Sequence, residues 1–396
     1  MTRRARLALV LGATTYLAAW AFGSKVLYPV ALGLPLAVLL AWLWTALANR
    51  PLELRRTLPA GERVEGEDVP VEVALRAERR LVPARWTLRE RIGKLGVRET
   101  TLAADGRARY RLERMRRGRY EFHDAIAVIE DPFGLERVEQ PLDAPGALLV
   151  YPRLVELERL FSEAGTRSHD GRRLLLRRPS GFDLHSVREY EHGDSLRKVH
   201  WRSTARRAQL MVKELEDAPR DEVAVLLDAD PDAVVGESFD VQVRAAGSIL
   251  LSHVRRGRRG VLVVNASTAE QQAVRSGDGD WRQALDLLAA VEPEPGPPLA
   301  ALLANDSSPL ARALELSVVT AALEPRLVER LAHRSLAGGS ASLVLVDTAS
   351  FAGVPSGPRP ELLRLQAAGV SVAVLREGDD LAARLGAAQV SEAAHA

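Results

Sequence analysis

Apolar and polar positions divide the chain into three regimes. Residues 1–50 hold two nearly unbroken apolar runs, Leu7–Phe22 and Val26–Leu47, parted only by Gly23-Ser24-Lys25. The second is long enough to cross a bilayer, which takes about 20 apolar residues. The first has 16 residues and reaches across with Arg6 snorkelling and Phe22 in the interface. Trp20, Phe22 and Tyr28 cluster at the hairpin tip and Trp42 and Trp44 near the other end, the distribution of aromatic belts. The pattern predicts a two-helix transmembrane hairpin over 1–50, with spans 7–22 and 26–47. Arg3, Arg4 and Arg6 precede it and Arg50, Arg55 and Arg56 follow it, against Lys25 in the turn. The positive-inside rule then predicts a cell-membrane protein with both termini and the soluble body in the cytoplasm. A signal peptide cleaved at Ala19-Trp20-Ala21 is the alternative for the first run. The second span would then still leave the body cytoplasmic.

Residues 51–152 change to short alternating runs: 69–77, 85–92, 107–114, 119–130 and 147–152. Turn formers such as Pro59-Ala60-Gly61 and Asp131-Pro132-Phe133-Gly134 punctuate them. About seven strands in about 100 residues predict a β-sandwich of immunoglobulin-like type. Val69, Val71, Val73 and Leu75 supply one buried face.

From residue 222 to 396, continuous apolar strands (221–230, 260–267, 315–321, 341–350, 371–378) alternate with helical patterns at 239–256, 281–291, 298–315, 325–336 and 360–368. That rhythm predicts an α/β domain with a parallel sheet covered on both faces. Asp228, Asn265, Thr320 and Asp347 stand at the carboxyl ends of its strands, the edge where open α/β sheets bind ligands.

Composition narrows the chemistry. The basic residues are 50 Arg against 4 Lys, a ratio that reads as bacterial GC-rich coding bias, and the net charge is only +2. A phosphate-backbone binder normally carries a basic excess, so no nucleic-acid partner is expected. Without cysteine there is no disulfide, thiolate metal site or cysteine nucleophile. No P-loop, GxGxxG, HExxH or GxSxG motif occurs.

The densest charge lies in residues 153–221, between the two soluble regions. Asp194 is placed to cap a helix from Ser195, and Arg197 lies four residues before Trp201, in reach of its ring. Arg188, Arg197 and Arg206 match Glu189, Glu191, Glu214 and Glu216 as an ion-pair network linking the domains. A sharper alternative makes Asp183, His185, Glu189, His192, Asp194 and His200 a metal-dependent hydrolytic centre within 183–232, although their spacing fits no ligand signature. A second alternative uses 172–179 and 255–259, both Arg-rich, to bind anionic lipid or nucleic acid.

The string Arg188-Glu189-Tyr190, Gly193-Asp194, Arg197, Trp201, Arg206 and Glu214, with Arg117-Gly118-Arg119-Tyr120 and Asp131-Pro132-Phe133-Gly134-Leu135 upstream, resembles the family called domain of unknown function 58. The resemblance implies four parts: hairpin 1–50, β-domain 51–152, signature segment 153–221, and a domain at 222–396 similar to von Willebrand factor type A. It also implies a MoxR-type AAA+ ATPase as partner but no particular reaction; the absence of catalytic motifs is what predicts no catalysis by the chain itself. The type A metal loop, Asp-x-Ser-x-Ser, is here Asp228-Ala-Asp230-Pro-Asp232. Those three acids are candidate Mg²⁺ ligands, with Thr320 and Asp347 as neighbours. Three carboxylates would overcompensate the ion, so no cofactor is the preferred expectation.

Overall fold

A computed structural model describes residues 1–77, 85–166, 184–189, 201–207, 209–215, 223–267, 270–274, 278–305 and 308–386. The chain divides into two units, Met1–Tyr151 and Pro152–Ala396, each taken by itself below.

The first unit opens with two helices, α1 (Arg3–Phe22) and α2 (Tyr28–Ala48), joined by a 3₁₀ turn at Lys25–Leu27. The first helix starts before Leu7, because the Thr2 hydroxyl accepts from the Ala5 N–H and caps it. It ends where Gly23, at φ +65°, takes the left-handed conformation that releases the chain. Both helices are long and apolar enough to cross a membrane. The buried seam of α1 is Ala5, Gly12 and Ala19, seven residues apart. That of α2 is Ala31, Val38, Ala41, Thr45 and Ala48. Small residues at that spacing let two helix backbones approach closely. Leu7, Leu11, Leu17, Leu32, Leu36, Leu39 and Leu43 face outward.

Nine strands follow among the described residues: β1 (Leu52–Thr57), β2 (Arg63–Val64), β3 (Val69–Ala77), β4 (Arg85–Ile92), β5 (Val97–Thr101), β6 (Arg107–Leu112), β7 (Gly118–Glu130), β8 (Arg137–Leu142) and β9 (Gly146–Tyr151). They form a sheet of order β1-β3-β6 and a second of order β2-β9-β7-β4-β5, with β8 also paired to β7. Val69, Val71, Val73 and Leu75 are buried as their alternation predicts, in one core with Leu88, Ile92, Phe122 and Val150.

In the second unit, β10 (Leu184–Glu189) and β11 (Met211–Leu215) pair antiparallel, Arg188 opposite Val212 and Ser186 opposite Glu214. The main sheet comprises β12 (Val223–Leu227), β13 (Gly260–Val264), β14 (Glu270–Val274), β15 (Glu315–Thr320), β16 (Ser340–Val346) and β17 (Ser371–Leu375), in the order β14-β13-β12-β15-β16-β17. All neighbours run parallel except β14, antiparallel at one edge. Central β12 is buried on both faces: Val225 and Leu227 join the core under helix Ser238–Arg255, Ala224 and Leu226 the core under helices Leu299–Ala304 and Pro325–Leu336. Covering on both sides explains why the strand is apolar at every position.

The single helix expected over 298–315 is instead two short ones, Leu299–Ala304 and Pro309–Arg312. Pro309 lacks an N–H and starts the second, and the Ser308 hydroxyl caps it at the Leu310 amide. Arg334, from helix Pro325–Leu336, bonds the Leu310 and Ala313 carbonyls that this short helix leaves open.

Candidate functional site

Strand order reverses at β12, since the chain builds outward to β13 on one side and then to β15 on the other, which creates a switch point at the carboxyl end of β12. Asp228 occupies it. Its amide continues the ladder, donating to the Val319 carbonyl at 2.9 Å, as Asn265 donates to Leu227 and Asp347 to Leu375. Three of the four polar strand ends are therefore held in place by the parallel ladder itself.

Asp228 is buried, and its carboxylate accepts from three donors among the described residues. Its Oδ1 accepts from Asn265 Nδ2 at 2.8 Å and from the Asp230 amide at 3.2 Å. Its Oδ2 accepts from the Thr320 hydroxyl at 2.6 Å. Burial raises the carboxyl above its ordinary value, while the Thr320 and Asn265 hydrogen bonds hold it back.

Asp230 and Asp232 do not join it. Asp230 accepts from the Asp232 amide at 3.0 Å and so caps the 3₁₀ turn Pro231–Ala233, and the Asp232 side chain is exposed. Asp347 is buried on the other side of the β15 end, where it accepts from Arg359 at 2.6 Å and from the Ser356 hydroxyl, with Arg376 at 3.8 Å. Of the three candidate Mg²⁺ ligands, Asp228 accepts from amide and hydroxyl donors, Asp230 caps a turn and Asp232 faces solvent, while of their expected neighbours Thr320 donates to Asp228 and Asp347 pairs with Arg359. As arranged, this donor set does not fit a divalent ion, which needs oxygens converging on one point.

The crevice is also crowded. The 293–298 loop crosses it, with the Glu294 amide donating to the Ala229 carbonyl at 2.8 Å. A Cβ at Gly296 would lie 1.5 Å from the Asn265 carbonyl oxygen, so only glycine passes there. Asn265 Oδ1 accepts from the Ala229 amide, closing the same corner. Strand-end positions marked Asp228, Asn265, Thr320 and Asp347 in advance. Arg359, Ser356 and Gly296 gave no such signal, because each reaches the edge from a loop outside the strands, where no periodic pattern places a side chain.

The charged signature is placed only in part. Tyr190, Gly193, Asp194 and Arg197 lie outside the described residues, as do Asp183, His192, His200, Glu191, Glu216 and the 172–179 run. For Arg188, Glu189, His185 and Glu214 the backbone alone is described, on β10 and β11. Trp201 and Arg206 are exposed on helix Trp201–Arg207, which is tied to β11 where the Met211 amide donates to the Thr204 hydroxyl. Within the 255–259 run, Arg255 pairs with Glu156 at 2.6 Å on the surface, Arg256 with Glu163, and Arg258 with Glu315 at 3.0 Å.

A doubly wound α/β domain with an internally satisfied acid at its switch point, preceded by two apolar helices and a β-sheet unit, defines the class. Residues 186–348 match the model of the family described as Protein of unknown function DUF58. A relative in Bacillus subtilis (strain 168), named Uncharacterized protein YeaD, is 23% identical over 68% of this chain and 66% of its own length, so the match spans just under two thirds of that protein. Among solved structures, the PKD domain from human VPS10 domain-containing receptor SorCS2 is 18% identical, covering 26% of this chain and 80% of that one at a TM-score of 0.19. A conjugative transposon lipoprotein from Bacteroides eggerthii is 19% identical over 24% of this chain and 98% of that one, at a TM-score of 0.16.

Proposed function

We propose that this chain is a membrane-anchored interaction protein, without catalysis of its own, whose α/β domain docks a protein partner at the carboxyl edge of its sheet. The two apolar helices anchor it in the cell membrane, and the arginines flanking them keep its soluble body cytoplasmic. The β-unit is of immunoglobulin-like type and acts as a spacer. The α/β domain is of von Willebrand factor type A kind, a reading supported by its strand order and its single antiparallel edge strand. The carrying observation is that Asp228 is satisfied by Asn265 and Thr320, whereas the loops after β12 and β16 leave Asp232, Val235 and Val354 exposed. An edge with a sealed interior and a mixed apolar–acidic rim suits recognition better than proton transfer.

The family resemblance makes a MoxR-type AAA+ ATPase the proposed partner. Full-length chain in nanodiscs is to be mixed with the purified MoxR-type ATPase of the same genome and the complex measured. The expected result is binding that Asp232→Arg or Val354→Asp weakens at least tenfold and that Asp228→Asn and chelation of Mg²⁺ leave intact. Binding indifferent to the rim variants would refute the docking edge. Turnover of a phosphoester or peptide abolished by Asp228→Asn would favour the hydrolase instead.

A further inference from the structure

We propose that the 131–136 turn of the β-unit is a second membrane contact, with Phe133 seated in the headgroup–acyl boundary beside the start of α1. This inference rests on reading α1 and α2 as membrane-spanning.

The turn is rigid and presents one large apolar side chain. Buried Asp131 accepts from the Phe133 amide at 2.8 Å through Oδ2 and from the Glu136 amide at 2.6 Å through Oδ1. The Gly134 amide donates to the Asp131 carbonyl at 3.1 Å, and Gly134 turns the chain at φ +65°. Phe133 projects from this frame 77% exposed.

The turn is also bonded to the helix mouth. The Thr2 hydroxyl donates to the Leu135 carbonyl at 2.7 Å and reaches the Gly134 carbonyl at 3.0 Å, and the Thr2 amide donates to Leu135 at 3.2 Å. A Cβ at Gly134 would lie 3.2 Å from an Arg4 guanidinium nitrogen, so the first helical turn packs on the residue next to Phe133.

Those contacts set its depth. The apolar run of α1 begins at Leu7, three residues beyond Arg4, or about 4.5 Å along a helix axis at roughly 1.5 Å per residue. Each interfacial layer of a bilayer is about 5–8 Å thick. If Leu7 enters the hydrocarbon, the turn therefore lies within the interface and not beyond it. Exposed Arg3, Arg4 and Arg6 surround the same level, and cations beside an aromatic ring suit an anionic headgroup layer. An isolated exposed phenylalanine needs no partner. This one is hydrogen-bonded, through its turn, to the residue that caps a membrane-length helix.

The chain has no cysteine, so single cysteines report cleanly. Full-length Phe133→Cys and Leu39→Cys proteins are to be labelled with an environment-sensitive nitrobenzoxadiazole probe and reconstituted in vesicles of phosphatidylcholine and phosphatidylglycerol. Lipids carry nitroxide near the headgroup or deep in the acyl chain. We expect the label at 133 to lose fluorescence to the shallow nitroxide and the label at 39 to the deep one. Quenching at 39 without quenching at 133 would overturn the proposal while leaving the spanning hairpin in place. Absence of quenching at both would remove the hairpin reading with it.

Discussion

The Arg56 guanidinium, stacked 4.2 Å from the centre of the Phe122 ring, forms a buried ion pair with Glu90. The pair joins β1 of one sheet to β4 of the other. Tyr110 donates to the second Glu90 oxygen at 2.6 Å, and Arg56 also donates to the Ala144 carbonyl at 3.1 Å. Burial, and then the Glu90 hydrogen bond, push the Tyr110 phenol up, so it stays a donor.

Removing one member strands the other in the core, a loss of about 3–5 kcal/mol. Glu90→Ala should therefore lower the denaturant midpoint of the first unit's transition strongly. The double change Arg56→Met with Glu90→Leu should recover most of that loss, since a well-packed apolar pair replaces the ions. Equal destabilisation of the single and double variants in urea titrations would show that the contact carries no coupling.

At the centre of the helix pair, a Cβ on Gly12 would stand 2.9 Å from Pro35 Cδ and 3.1 Å from the Ala31 carbonyl. Gly12→Val should overpack this seam, at a cost of about 1–3 kcal/mol, and separate α1 from α2. Cross-linking between cysteines placed at Ala5 and Ala41 in vesicles should fall in that variant, and unchanged cross-linking would exclude a seam at Gly12.

Asp228 has its carboxyl raised by burial, so the native chain holds its proton to higher pH than the unfolded chain does. The sign follows: its contribution is favourable below the unfolded value of 3.8 and is lost as pH rises through the raised native value. Asp228→Asn should accordingly raise the melting temperature at pH 7.5 and leave it nearly unchanged at pH 4. Thr320 can turn its hydroxyl to the Ala322 carbonyl at 2.9 Å and accept from the new amide, so Thr320 keeps its partners after the exchange. A lower melting temperature at pH 7.5 would mean that the charge itself is needed.

His253 behaves in the opposite way. It is fully buried near the end of helix Ser238–Arg255, and neither ring nitrogen has a hydrogen-bond partner among the described residues. Glu315 lies 4.0 Å from Nε2 but is engaged by Arg258 and Ser162. Burial first, then Arg258 and Arg256, push the imidazole from 6.5 down to about 3, against Glu163. A depressed histidine contributes stability that is complete above pH 6.5 and drains as pH falls toward 3, at up to about 1.4 kcal/mol per pH unit. His253→Leu should flatten the pH dependence of urea stability between pH 6.5 and 4, and an unchanged slope would assign the acid sensitivity to other groups.

Strands with strong patterning were legible from the chain alone. The alternation at 69–77 and 85–92 coincides with β3 and β4, and helix Pro325–Leu336 sits where its apolar spacing put it. Edge strands were not. Sequences VRETT, RVEQPL and EQQAV form β5, β8 and β14 although few of their side chains are buried, and pairing with a neighbour, not burial, makes them strands. In the site, strand-end polarity marked Asp228, Asn265, Thr320 and Asp347 but not their partners.

Local order was written into the chain by spacing: two apolar runs of membrane length, period-two strands, and helices started by proline and serine. These depend on neighbours within a few residues, where geometry is nearly independent of the rest of the fold. Assignment of charges was decided only in three dimensions. In the sequence Arg56 counts with Arg50 and Arg55 as a juxtamembrane cation, yet its side chain is only 6% exposed and neutralises Glu90, 34 residues away. Asp347 likewise reads as a neighbour of Asp228, until Arg359 claims it. A charge takes whichever opposite partner packing brings within hydrogen-bonding distance, and packing joins positions that no local pattern relates.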